Sequence, residues 1–198
     1  MYNERQRPLR ADARRNRARI LQTARTVFAA EGIAVPLDEI ARRAGVGPGT
    51  VHRHFPTKEA LFEAVVGEHL EQLILEVRTA LTGPEAGPAL FAFLAKMTAE
   101  AGAKQDLTEA ITATGSPMSP AVEQRTAELR ELFAMLLARA QQAGAVRDDV
   151  DAADVQAIVV AALTADRRRG ASDRPGRLAG IVFDCLLPAH AHTDENAA

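Results

Sequence analysis

The residues most suited to chemistry lie between Gly47 and Lys58. Pro48 can open a short helix with Gly47 as its cap, and Pro56 must close it by steering Phe55 away from the α region. In that helix Val51 and Phe55 are four apart and share an inward face. Gly49 and Arg53, also four apart, point the opposite way; Thr50 and His54 flank them on one side and His52 on the other. Such a face buries little, but it suits a DNA major groove. Gly49 allows close backbone approach, Arg53 can bridge guanine O6 and N7, and hydroxyl or imidazole groups can reach phosphates or base edges. Lys58 stands at the start of the next helix, where the dipole favours anions. A lysine there gains little for folding, yet beside free N–H groups it can help hold a phosphate. A solvated surface helix followed by an ordinary exposed lysine is the alternative.

The elements that must position these residues are helical. A first helix is expected over about 14–30, with Ile20, Leu21, Ala24, Val27 and Phe28 on one face and Gly32 ending it. Pro36 can occupy the first position of a short second helix that turns Ile40, Ala41 and Ala44 inward and stops at Gly45. Val46 and Gly47 make the turn into the third helix, a helix-turn-helix arrangement. Thr57 caps a long fourth helix with a stripe from Leu61 to Val77. Gly-Pro pairs at 83–84 and 87–88 mark a loop, and further helices are expected at about 89–102, 105–113, 120–143, 151–168 and 175–187. No alternating run argues a strand. The fold class is all-α with about nine helices: a three-helix helix-turn-helix domain, then a helical bundle, which the resemblance described below assigns to ligand binding and dimerisation. The boundaries expected are a flexible basic arm at 1–13, a DNA-binding domain at 14–57, a helical domain at 58–188 that the same resemblance makes the effector-binding and dimerisation domain, and a disordered tail at 189–198.

Charge agrees with this division. Residues 1–60 carry twelve Lys/Arg against six Asp/Glu, and 61–198 the other twelve against twenty, so a net charge of −2 hides a basic head on an acidic body. The 47% hydrophobic fraction is that of a globular protein. No apolar stretch is expected to span a bilayer, and the arginine-rich N-terminus, without an apolar run or a small-residue cleavage site, is not expected to act as a secretory signal. One cysteine, Cys185, excludes an internal disulfide and fits a reducing cytoplasm. There is no G-x-S-x-G, phosphate-binding glycine loop or H-E-x-x-H, so no catalytic residue, no metal site and no cofactor is expected.

The run from Ile40 to Leu61 resembles the signature of TetR/AcrR-type regulators. Ile40-Ala41 and Ala44-Gly45-Val46 match its second helix, and Phe55, Lys58-Glu59 and Leu61 match its entry to the fourth. The resemblance implies a cytoplasmic homodimer that binds double-stranded DNA at a palindromic operator and regulates transcription, by family default as a repressor. It implies DNA contacts from Thr50, His52, Arg53, His54 and Lys58, and Gly47 and Gly49 are expected to lie at the DNA beside them. His52 and His54 stand where the family usually has tyrosine, which shortens their reach and makes those contacts sensitive to pH. Pro36-Leu37-Asp38 replaces hydroxyl and basic residues that help some members grip the backbone. The stretches Gly144–Val155 and Arg177–Leu186 resemble the SbtR-like subgroup.

By that resemblance the last two helices build the dimer's four-helix bundle, through Val155, Ile158, Val159 and Ala162 on one helix and Leu178, Ile181, Val182 and Cys185 on the other. Read without it, both stripes serve equally well as intramolecular core. A small-molecule effector, largely apolar, would sit among Phe91, Met97, Ile111, Met118 and Phe133, with Phe91 lying off the core face that Leu90, Phe93, Leu94 and Met97 define. Such residues at helical spacing also serve as plain core. Two other readings compete: a nonspecific DNA-coating protein, which would not need some 130 residues of acidic body, and a helical adaptor without DNA affinity.

Overall fold

The computed structural model describes residues 6–98, 119–168 and 177–188. Every regular element among them is a helix, eight in all, close to the expected number. They are α1 (Gln6–Glu31), α2 (Leu37–Ala44), α3 (Pro48–His54), α4 (Lys58–Thr82), α5 (86–98), α6 (Pro120–Gln142), α7 (Ala152–Arg168) and α8 (Arg177–Cys185). The expected helix at 105–113, the tail at 189–198 and residues 1–5 of the expected arm lie outside the described residues.

Two boundaries differ from expectation. α1 begins at Gln6, so residues 6–13 are helical rather than a loose arm. Pro8 then stands in the first turn, where its missing N–H costs nothing, and Leu9, Arg10, Ala11 and Ala13 are strong helix formers that need no apolar stripe. Pro36 is the cap of α2, extended at φ −66° and ψ 149°, rather than its first helical residue. Its carbonyl accepts the Glu39 and Ile40 N–H groups at 3.1 and 3.2 Å.

The described residues divide into two compact units, the first holding residues up to His69 together with 119–123 and the second the rest. The first packs α1, α2 and α3 on one another and on the opening turns of α4. Ile20, Leu21, Ala24 and Phe28 of α1, Ile40 and Ala41 of α2, Val51 of α3 and Leu61 of α4 are all buried. The Phe28 and Phe62 rings meet edge to face with centroids 5.8 Å apart. Each large side chain so buried is worth about 1.5–3 kcal/mol.

The second unit gathers Leu73 and Val77 of α4, Leu90 and Leu94 of α5, Leu136 of α6, Val155 and Val159 of α7 and Leu186 into one core. Its connections are tied by side chains. Arg139 donates to the carbonyls of Leu81 and Gly83, occupying acceptors left open at the end of α4. Gln141 donates to the carbonyls of Arg147 and Val150. Asp151 caps α7 through the N–H groups of Ala153 and Asp154, both at 2.8 Å, while Asp154 accepts the Asp151 N–H in return. Gly87 is buried where a Cβ would overlap that of Ala145, so α5 approaches the α6–α7 connection by lacking a side chain there.

Candidate nucleic-acid interface

α3 is aimed by the turn before it. Gly45 adopts φ 65° and ψ 37°; its N–H reaches the Arg42 carbonyl and the Val46 N–H the Ala41 carbonyl, at 3.2 and 3.1 Å. This closes α2 with a left-handed cap that a side chain would strain. Gly47 caps α3, accepting the Thr50 N–H at 2.9 Å, and Pro48 takes the first helical position. Val51 is fully buried and Phe55 is 3% exposed, so these two anchors fix which face turns out. That face carries Gly49, His52 and Arg53, all exposed, with Thr50 and His54 half-buried at its edges. Space around Gly49 is open, with no atom within 4 Å of where a Cβ would stand.

Lys58 is the first residue of α4, half-buried. Thr57 caps that helix, its Oγ1 accepting the Ala60 N–H at 3.1 Å. Glu59 accepts backbone and Thr57 hydrogen bonds that hold its carboxyl below the usual carboxylate range. The lysine thus stands at a capped helix start, the place where free N–H groups favour an anion.

Ion pairs sort the basic residues of this unit. Glu39 accepts from Arg42 Nε at 2.8 Å and from Arg43 Nε at 2.7 Å. These bonds, Arg42 first, lower its carboxyl to about 2. Arg43 also reaches Glu31 at the end of α1, and its guanidinium is raised above its ordinary value. Arg15 pairs with Asp12. Arg42, Arg43 and Arg15 are therefore neutralised by carboxylates. Among the described residues Arg14 and Arg53 have none, Lys58 acts only on the adjacent Glu59 carboxylate, and the Arg17 guanidinium lies over the Phe55 ring, 5.4 Å from its centroid. His52 Nε2 faces Asp38 Oδ1 at 3.5 Å. The Arg17–Phe55 and His52–Asp38 contacts join residues on different helices, with no periodic spacing to announce them, and the sequence reading missed both.

In the second unit Phe91 and Phe133 are half-buried against the core, in ring contact with Phe183 (6.2 Å) and Phe93 (6.0 Å) respectively. Met97 packs against the same core. Ile111 and Met118 lie outside the described residues. Val155, Val159 and Ala162 are buried within the protomer, whereas Ile158 and Ile181 are 42% and 45% exposed and Cys185 is exposed as well. Leu178 and Val182 are half-buried. Among the described residues no cluster of His, Cys, Asp and Glu is arranged to hold a metal, and no helix is long and apolar enough to cross a membrane.

Residues 20–65 match the model of bacterial regulatory proteins of the tetR family, and residues 85–188 match the C-terminal domain of SbtR-like transcriptional regulators. A crystal structure of a TetR transcription regulatory protein from Mycobacterium vanbaalenii is 43% identical, covering 91% of this chain and 99% of that one, with a TM-score of 0.71. A TetR transcriptional regulator from Streptomyces coelicolor is 31% identical over 87% of this chain and 99% of that one, at a TM-score of 0.69. The HTH-type transcriptional regulator UidR of Escherichia coli is 27% identical over 149 residues, 73% of this chain and 76% of UidR.

Proposed function

The chain belongs to the tetR family of bacterial regulatory proteins, and from that premise we propose that it is a repressor released from a palindromic operator by a small, largely apolar effector. It is a transcriptional regulator with a DNA-binding helix-turn-helix, not an enzyme, in a family whose members dimerise and bind small-molecule effectors. The observation that carries the proposal is the outward face of α3: Gly49 with open space around it and Arg53 exposed without a carboxylate partner.

α3 enters the major groove. Arg53 donates both arms of its guanidinium to guanine O6 and N7. Gly47 and Gly49 let the backbone come close; Thr50, His52 and His54 reach phosphates or base edges, and Lys58 holds a phosphate at the start of α4. Ile158, Ile181 and Cys185, exposed on α7 and α8, join their counterparts in the dimer, with Leu178 and Val182 behind them. Val155, Val159 and Ala162 support that face from within the protomer. The two heads then read half-sites about one or more turns apart.

The effector lies against Phe91, Met97 and Phe133 of the second unit. α4 is one continuous helix whose first residue is Lys58 and whose later turns supply Leu73 and Val77 to the second core. An effector that prefers one placement of those turns moves Lys58 with them. A coupling of about 1–3 kcal/mol between effector and operator follows from such a preference. The test is competition between a selected palindrome and shuffled duplex at fixed salt. The expected preference is at least about a thousand-fold, and equal binding of both would refute specific regulation.

A further inference from the structure

α1 outruns the core it serves. Between Asp12 and Arg19 every residue is exposed except the half-buried Asn16, whereas Ile20, Leu21, Ala24, Val27 and Phe28 are buried. Positions 10, 14, 17, 21, 24 and 28 follow at spacings of three and four and form one stripe. The stripe is apolar at Leu21, Ala24 and Phe28, where the other helices cover it, and arginine at 14 and 17, where they leave it exposed; Arg10 continues the row by helical register.

Arg17 marks the crossover. Its guanidinium lies 5.4 Å from the centroid of Phe55, the residue that closes α3. The arginine stripe therefore leaves the head on the side where α3 ends. Cation–π contact also holds the Arg17 side chain in place before any partner arrives. The opposite side of α1 is different: there Asp12 takes Arg15 and Asn16 accepts from Arg19. Among the described residues no carboxylate faces Arg14 or Arg17.

We propose that the first turns of α1 form a second DNA-contacting element, a row of arginines that grips the phosphate backbone beside the groove entered by α3. This rests on the DNA-binding reading of the head and adds a contact that α3 and Lys58 do not make. Phosphate is the partner that fits, because the row offers repeated positive charge and, among the described residues, no carboxylate neutralises Arg14 or Arg17.

The test uses the full chain and two variants, Arg10→Ala/Arg14→Ala on the stripe and Arg15→Ala on the opposite face. Binding to a selected palindrome and to shuffled duplex is measured from 50 to 300 mM potassium chloride, with thermal unfolding as a check on folding. The double variant should lose about two from the slope of log K against log salt, weaken on both duplexes alike and keep the wild-type base preference. Arg15→Ala should match wild type. A wild-type slope in the double variant, or an equal loss in Arg15→Ala, overturns the proposal while the DNA-binding reading stands. A wild-type protein that binds neither duplex at 50 mM salt brings down that reading and this element with it. If the double variant unfolds, Arg14→Gln alone should still lower the slope by about one, and a wild-type slope in it also overturns the proposal.

Discussion

His52 Nε2 lies 3.5 Å from Asp38 Oδ1, across the turn that joins α2 to α3. A carboxylate thus stands beside a side chain on the outward face of α3, where a phosphate backbone is proposed to pass. Like charges repel there, so Asp38 is expected to weaken binding to every DNA sequence. Asp38→Asn should tighten binding of specific and shuffled duplex alike by roughly three-fold at low salt, about 0.7 kcal/mol. Fluorescence anisotropy on both duplexes checks it; weaker binding would mean that Asp38 orients His52 for a contact the complex needs.

Arg53 is the proposed reader of guanine. Arg53→Ala should cost about 1–3 kcal/mol and relax one base position per half-site. Binding to a panel of single-base operator variants measures this. A variant that loses affinity equally for every operator would place Arg53 on the backbone instead.

Gly49 separates folding from binding. The space around it is open and its helical site is exposed, so Gly49→Ala should raise stability by about 0.5–1 kcal/mol through helix propensity. The added methyl would stand between α3 and the groove, so operator affinity should fall in the same variant. Thermal unfolding and anisotropy together decide it, and unchanged affinity would take Gly49 out of the interface.

Glu39 predicts a pH dependence. Its carboxyl is lowered from 4.5 to about 2 by Arg42 and Arg43. A lowered folded-state value stabilises the fold in full above about 4.5 and is lost as pH falls toward 2. The thermal midpoint of wild type should therefore exceed that of Glu39→Gln by a constant margin at neutral pH, with the margin closing between about pH 4.5 and 2. A margin independent of pH would contradict the pairing.

Gly87 tests the second unit. Gly87→Ala forces a methyl onto Ala145, so α5 or the α6–α7 connection must shift, at about 1–3 kcal/mol. Chemical denaturation measures the loss, and wild-type stability would show that the close approach is not needed.

Much of the head was legible because its signals are local. Gly45 needs its left-handed backbone, Pro48 starts a helix, Thr57 caps one, and Val51 and Phe55 share a face by spacing alone. The start of α1 was not legible, because an arginine-rich helix that packs against nothing has no apolar rhythm to reveal it. Nor did spacing divide the α7 stripe. Val155, Val159 and Ala162 form the inward row and Ile158 points out, and only the packing of α7 in its own unit separates them. Contacts between helices, such as Asp38 with His52, depend on how elements pack, which residue types do not reveal.

In the proposed complex α3 of a symmetric dimer reads a specific operator. Selection from a pool of random duplex DNA with the purified full chain tests it most directly. The expected result is enrichment of an inverted repeat, its half-sites separated by about one or more helical turns, with a guanine position that disappears from the repeat selected by Arg53→Ala. A pool that stays random after repeated rounds, or that converges on a site without two-fold symmetry, contradicts it.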